Sequence, residues 1–260
     1  MSGKVLLTGA SGGIGQAIAR AFAARGASLI LTGRRTEVLD PLADEVGGRA
    51  LACDLSDRED VDRLIGEVGE VEVLVANAAL PASSVFTELR QDEIDRMLEV
   101  NLRAPIAIAR ALAPAMTARG SGHLVFISSL AGKVASPASA IYSATKFGLR
   151  GFALGIREDL RAHGVGVSVV LPGFIRDAGL FADAGVELPR GVGTRSPEDV
   201  AAAVLRAIER NRAEVEVAPV GLRLGASFGG LAPQLAAAAS RRMGGERVAS
   251  ELAAGQRDKR

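Results

Sequence analysis

KVLLTGASGGIGQAIARAFAARG, residues 4–26, decides the fold. KVLLT (4–8) is a short apolar run that reads as a strand. IGQAIARAFAARG reads as a helix, because Ile14, Ile18 and Phe22 recur at fours and Gly26 supplies a C-terminal stop. Between them TGASGGIG (8–15) is a glycine-rich turn with glycines at 9, 13 and 15 besides Gly12. That spacing departs from the common G-x-G-x-x-G dinucleotide fingerprint, but the physics carries over. Glycines permit a tight turn and close backbone approach, and a helix opening near Gly13 offers free N–H groups to a pyrophosphate.

The same alternation continues outward from this segment. Further strands are expected at SLILT (28–32), RALAC (49–53), VEVLVA (71–76), HLVFIS (123–128), VSVVL (167–171) and AEVEVA (213–218). They are apolar nearly throughout, as strands covered on both faces are. Helical patterns lie between them at 92–118 and 139–163, and another opens at SPEDV. In that last one Ser196 is the N-cap, Pro197 takes the first helical position and Asp199 completes a capping box. Strands alternating with helices imply a single α/β domain over residues 1–220, Rossmann-like and doubly wound. Its seven-stranded parallel sheet carries helices on both faces, and residues 221–260 form a C-terminal extension, helical and then disordered. There is no repeat of solenoid length.

Bulk composition excludes several classes. The chain has 260 residues, with 31 basic against 30 acidic side chains, so there is no electrostatic footprint for nucleic acid. The lone Cys53 rules out an internal disulfide framework and a multi-cysteine metal site, and reads as apolar filler. His123 and His163 have no partners for a metal and read as structural. No apolar run reaches membrane-spanning length, and the strand beginning by Val5 leaves no room for a signal peptide. A soluble, cytoplasmic protein is the expectation.

The second strand bears on what the turn binds. A free ribose 2′-hydroxyl is usually held by a carboxylate at the end of that strand. Here the strand ends LTGRR, with Arg34 and Arg35 after the small Gly33 and no carboxylate before Glu37. Two guanidiniums supply room and charge for a 2′-phosphate, so NADP(H) is expected in preference to NAD(H), which remains possible.

AIYSATKFG (140–148) contains the only tyrosine of the chain, Tyr142, one helical turn before Lys146, so the two share a face. Ser128 and Ser129 end the preceding strand, at the carboxyl edge where open parallel sheets bind ligands. A phenol titrates near pH 10, too high for a base at neutral pH unless a nearby ammonium stabilises the phenolate. Lys146 is placed for that, and Ser129 to hydrogen-bond a substrate oxygen. The set suits acid–base chemistry on a carbonyl or a secondary alcohol.

In this order and spacing the motifs identify the chain as resembling the short-chain dehydrogenase/reductase family, from about residue 4 to about residue 220. TGASGGIG resembles the family's T-G-x-x-x-G-x-G, which implies that Thr8, Gly9, Ser11, Gly12, Gly13, Ile14 and Gly15 meet the cofactor. Asp54 and Leu55 resemble its adenine-contacting pair, Asn77 and Ala78 belong to an NAA that stands for its N-A-G, and Pro172-Gly173 match its P-G, with Ile175 just after. The resemblance implies that Tyr142 is the general acid/base, that Ser129 orients the reacting oxygen, and that Lys146 lowers the tyrosine's pKa and holds the cofactor ribose. Asn101, in EVNL, would position a water linking the lysine to solvent. Two positions depart from the pattern: Ala79 replaces a glycine, narrowing the space near the nicotinamide ribose, and Asp177 stands where a threonine usually touches the cofactor. A carboxylate beside a pyrophosphate is repelled, so Asp177 is expected to turn away, toward Arg176 or another base, or else to weaken cofactor binding. A dinucleotide-sensing binding protein of the same fold is the alternative, although such a sensor has no reason to keep the tetrad complete.

Substrate recognition by this resemblance falls to residues 174–195. There Phe174, Leu180, Phe181 and Leu188 are placed to line an apolar pocket, and glycines at 179, 185, 191 and 193 imply a mobile lid. A small apolar carbonyl or alcohol is the expected partner, with a homodimer or homotetramer as the assembly. The tail GLRLGASFGGLAPQLAAAASRRMGG reads as an amphipathic helix covering the mouth, packing at an interface or, less in keeping with its composition, touching a membrane.

Overall fold

The computed structural model describes residues 3–81, 84–182, 185, 188, 192–242, 251–252 and 255. Seven strands form one parallel sheet in the order β3-β2-β1-β4-β5-β6-β7. They are β1 (Lys4–Thr8), β2 (Ser28–Gly33), β3 (Arg49–Ala52), β4 (Val73–Ala76), β5 (Gly122–Ile127), β6 (Val165–Pro172) and β7 (Glu214–Val217). Every adjacent pair is parallel, so each connection must cross over the sheet, as the alternating pattern requires.

Successive strand residues point to opposite faces, and both faces are apolar. Val5 and Leu7 of β1 join one core with Leu29, Leu31, Val73 and Val75. Leu6 joins the other with Ile30, Leu74, Leu124 and Phe126. The first core is covered by α1 (Gly13–Ala23), α2 (Thr36–Val46) and α8 (Pro197–Glu209). The second is covered by α3 (Arg58–Val68), α4 (Gln91–Leu98), α5 (Ala104–Arg119) and α6 (Ala140–Arg161). A short α7 (Gly179–Ala182) lies in the segment after β6, and α9 (Val220–Leu231) and α10 (Pro233–Arg242) follow β7. The Ser196 capping box forms as expected, with Ser196 Oγ accepting from the Asp199 N–H at 3.3 Å.

One helix differs from its sequence pattern. The expected helix over 92–118 is α4 and α5 joined by a π-helical turn at Glu99–Arg103, and Asn101 sits in that turn, fully buried. A hydrophobic repeat does not register one extra residue in a turn, so periodicity alone reads the segment as continuous. Among the described residues no helix is long and apolar enough to cross a membrane. Gly191, the side chain of Leu180 and, apart from Gly255, the terminal GQRDKR segment lie outside the described residues.

Candidate active site

The strand order reverses between β1 and β4, the place where an open α/β sheet leaves a crevice at its carboxyl edge. Thr8 and Asn77 fasten the two strand ends together there. Thr8 Oγ1 accepts from the N–H of Asn77 at 3.1 Å and of Ala78 at 3.2 Å. The Asn77 amide donates back to the Thr8 and Gly9 carbonyls, both at 3.1 Å. These two side chains therefore shape the crevice from behind and have their hydrogen bonds within the protein.

A cleft of about 2120 Å³ opens over this edge. Its floor is the glycine turn. Gly9 has φ +66°, and a Cβ added there would come within 2.7 Å of Ala78 Cα, so only glycine lets the turn reach β4. A Cβ at Gly15 would strike the Gly9 carbonyl, and one at Gly13 would strike Ala178. Helix α1 starts at Gly13 with no side-chain cap and no acidic residue in its first turn. Gln16 donates to Gly12 as the helix begins, which leaves the preceding N–H groups facing the cleft as helix starts do. An uncapped, carboxylate-free helix N-terminus against a cradle that admits only glycine fits a pyrophosphate.

Arg34 and Arg35 line the same cleft. Arg35 Nη2 donates to the Ser11 carbonyl at 2.6 Å, and Arg34 lies 3.8 Å from the Asp54 carboxylate. Asp54 also accepts from the Ser56 N–H and hydroxyl, and these bonds with the Arg34 charge hold its carboxyl below the usual range although burial opposes them. Leu55 is buried beside it. Asp177 takes left-handed backbone (φ +65°), lines the cleft and pairs with Arg176 at 3.2 Å. Pro172 and Gly173 lie at the end of β6, where Gly173 donates to the Val217 carbonyl at 3.0 Å. Ile175 is buried and bridges to Arg195, whose N–H donates to the Phe174 carbonyl, so the two ends of segment 174–195 are pinned together.

The proton-handling residues come together on the other wall. Ser128 and Ser129 part ways at the end of β5: buried Ser128 donates to the Lys146 carbonyl at 2.9 Å, and Ser129 lines the cleft. Gly132 makes this possible, because a Cβ there would lie 2.7 Å from Ser128 Oγ and 2.8 Å from the Lys146 carbonyl. The serine loop can thus lie directly on α6. Ser129 Oγ accepts from the Ala131 N–H at 3.1 Å and shares a hydrogen bond with the Tyr142 phenol. Burial pushes the phenol up to about 12, although the Ser129 bond acts in the opposite sense. Lys146 Nζ donates to the Ile127 carbonyl at 3.0 Å and stands 5.6 Å from the Tyr142 ring centroid. Burial brings this lysine down to about 8. Desolvation outweighs the Ser129 bond at the phenol, and the Lys146 ammonium is held by the Ile127 carbonyl rather than by the phenol oxygen.

Asn101 acts at one remove. Its amide accepts from the Leu80 N–H at 2.7 Å and donates to the Leu80 carbonyl at 3.0 Å, and lies 3.5 Å from Thr145 Oγ1. Thr145 in turn donates to the Tyr142 carbonyl at 2.8 Å. Sequence reading missed Gly132, Thr145 and Lys133, whose roles depend on which elements pack together. No group of three or more potential metal ligands occurs among the described residues.

Comparison with known proteins places this geometry. Residues 3–185 match the family described as short chain dehydrogenase. Ketoacyl reductase HetN of Nostoc sp. is 37% identical over 227 residues, spanning 84% of this chain and 79% of that protein. A short-chain dehydrogenase from Sphingobium yanoikuyae, solved in complex with NADPH, superposes with a TM-score of 0.78 at 28% identity, covering 89% of this chain and 94% of that one. A metagenomic short-chain oxidoreductase in complex with NADP is 34% identical with a TM-score of 0.70, covering 84% of this chain and 96% of that one. The chain belongs to the short-chain dehydrogenase/reductase family, and it is an oxidoreductase of CH–OH and C=O groups.

Proposed function

We propose that this enzyme interconverts a carbonyl and a secondary alcohol on a small apolar molecule, with NADP(H) preferred over NAD(H) as the hydride carrier. The observation that carries the reading is the meeting, in one cleft, of Ser129, Tyr142 and Lys146 with an uncapped helix start over a glycine cradle. When bound, the nicotinamide supplies or accepts the hydride at its C4. Gly13, Ile14 and Gly15 would hold the pyrophosphate, Arg34 and Arg35 the 2′-phosphate, and Lys146 the nicotinamide ribose. Relatives solved with NADPH and NADP support the cofactor class.

At neutral pH a phenol pushed up to about 12 keeps its proton, so Tyr142 is a ready acid for a carbonyl oxygen. Ser129 holds that oxygen beside the phenol, and its hydroxyl steadies the phenolate left after transfer. Lys146 is protonated below about 8, and its charge counters the same phenolate. Asn101 and Thr145 fix the backbone carrying Tyr142, and Asn101 would position a water linking Lys146 to solvent.

The test is a screen of apolar ketones and secondary alcohols with both cofactors, read at the reduced nicotinamide band. Turnover with NADPH supports the proposal, while absence of turnover together with retained nucleotide binding supports a sensing protein instead.

A further inference from the structure

We propose that an alternating chain of charges, Arg150–Glu214–Lys133–Glu216–Arg223, positions α9 as the substrate-side wall of the cleft and thereby sets the size of substrate accepted. The inference rests on the assignment of this cleft as the active site.

Glu214 and Glu216 are two residues apart on the edge strand β7, so both carboxylates leave one face of the sheet. Three cations from three different elements meet them. Lys133, four residues after Ser129, lies 2.6 Å from Glu216 and 3.4 Å from Glu214. Arg150 pairs with Glu214. It stands two helical turns after Tyr142 and one after Lys146, on the same stripe of α6. Arg223, from α9, lies 2.9 Å from Glu216. The serine loop, the catalytic helix and the C-terminal helix are thus tied through one strand.

Helix α9 needs such a tie. It faces the cleft with Leu222, Gly225, Ala226 and Gly229, and a Cβ at Gly230 would lie 3.4 Å from the Lys133 carbonyl. Apart from Leu222, and Phe228 which is half exposed, the inward residues are small, so apolar burial contributes little to holding the helix. Its larger side chains Val220, Leu224 and Leu231 point outward, 65%, 67% and 87% exposed, and add nothing to its grip on the body. The ion pairs are better placed: the side chains of Lys133 and Glu216 are only 15% and 12% exposed, where salt screens them little. Lys133, which pairs with both carboxylates, lies on the loop that follows Ser129, so α9 is tied to the wall of the site through β7.

The test compares Arg223→Ala, Glu216→Gln and the conservative Arg223→Lys, with Arg25→Ala as a control that breaks the remote Arg25–Glu209 pair. Amide exchange of α9 is expected to quicken in the first two variants and to recover in Arg223→Lys, with the control unchanged. With a bulky ketone, Arg223→Ala should raise KM roughly two- to fivefold, the range open to a partly exposed pair. The KM for a compact ketone and the affinity for NADPH should stay at wild-type values. Unchanged exchange in α9 overturns the network, and an equal rise in KM for both ketones overturns its role in size selection. Absence of turnover in the unmodified protein overturns the enzymatic reading itself, while the exchange arm still decides whether the network holds α9.

Discussion

Tyr142 is pulled in two directions by its surroundings. Burial makes its phenolate costly, whereas the Ser129 hydroxyl favours it, and the balance leaves the phenol up at about 12. Lys146 loses part of its proton affinity to burial and titrates near 8. Since a lysine is charged below its pKa, the counter-charge for the phenolate is present at neutral pH and fades as pH rises through about 8. Reductive kcat/KM is therefore expected to be level near neutrality and to fall on the alkaline side with a midpoint near 8, checked by a pH–rate profile. Charge at Arg34 and Arg35 leads to a second expectation. Replacing both by Ala should loosen NADPH by at least about tenfold and leave NADH nearly unchanged, as removal of a phosphate clamp does, and calorimetric titration reads both. At this scale much was legible. Tyr142, Lys146 and Ser129 announce themselves by type and spacing. The direction of the Lys146 ammonium does not, because it depends on the Ile127 carbonyl that folding brings within 3.0 Å.

Among the elements, the π-helical turn at Glu99–Arg103 does the most positioning. It aims Asn101 inward at both polar groups of the Leu80 backbone, joining α4 and α5 to the loop after β4. Asn101→Ala leaves that buried N–H and carbonyl unpaired, and should lower stability by about 2 kcal/mol in urea denaturation. The far end of the sheet holds a different device. Buried His123 on β5 meets Ser168 of β6 at 2.8 Å, and burial pushes the imidazole down to about 4 from its ordinary 6.5. Between those values the unfolded chain binds a proton that the folded chain refuses, so stability rises with pH across that window and falls as the solution is acidified through it. Denaturation midpoints at about pH 7.5, above the window, and about pH 5, inside it, should differ in that sense, and the His123 ring should remain neutral at the lower one. The strands were legible because both their faces are apolar, and the Ser196 cap because its residues are local. The π turn was not, since one extra residue per turn leaves no mark in a hydrophobic repeat.

Across the whole molecule, the order β3-β2-β1-β4-β5-β6-β7 sets the glycine turn after β1 beside the loops after β4, β5 and β6. Residues from 9 to 173 thereby reach one cleft, which linear spacing implies only through the family resemblance. The placement of α9 over that cleft was one of several readings of an alanine- and glycine-rich tail, because short-range pattern cannot say which surface a helix covers. The central claim is that Tyr142 supplies the proton in a nicotinamide-dependent carbonyl reduction. The most direct measurement is single-turnover reduction of an accepted ketone by NADPH, with Tyr142→Phe beside the unmodified protein and nucleotide affinity measured for both. The account predicts unchanged NADPH affinity and a rate lower by a factor on the order of 10² to 10⁴, the usual contribution of a general acid. A Tyr142→Phe enzyme that reduces the ketone at the unmodified rate would contradict it.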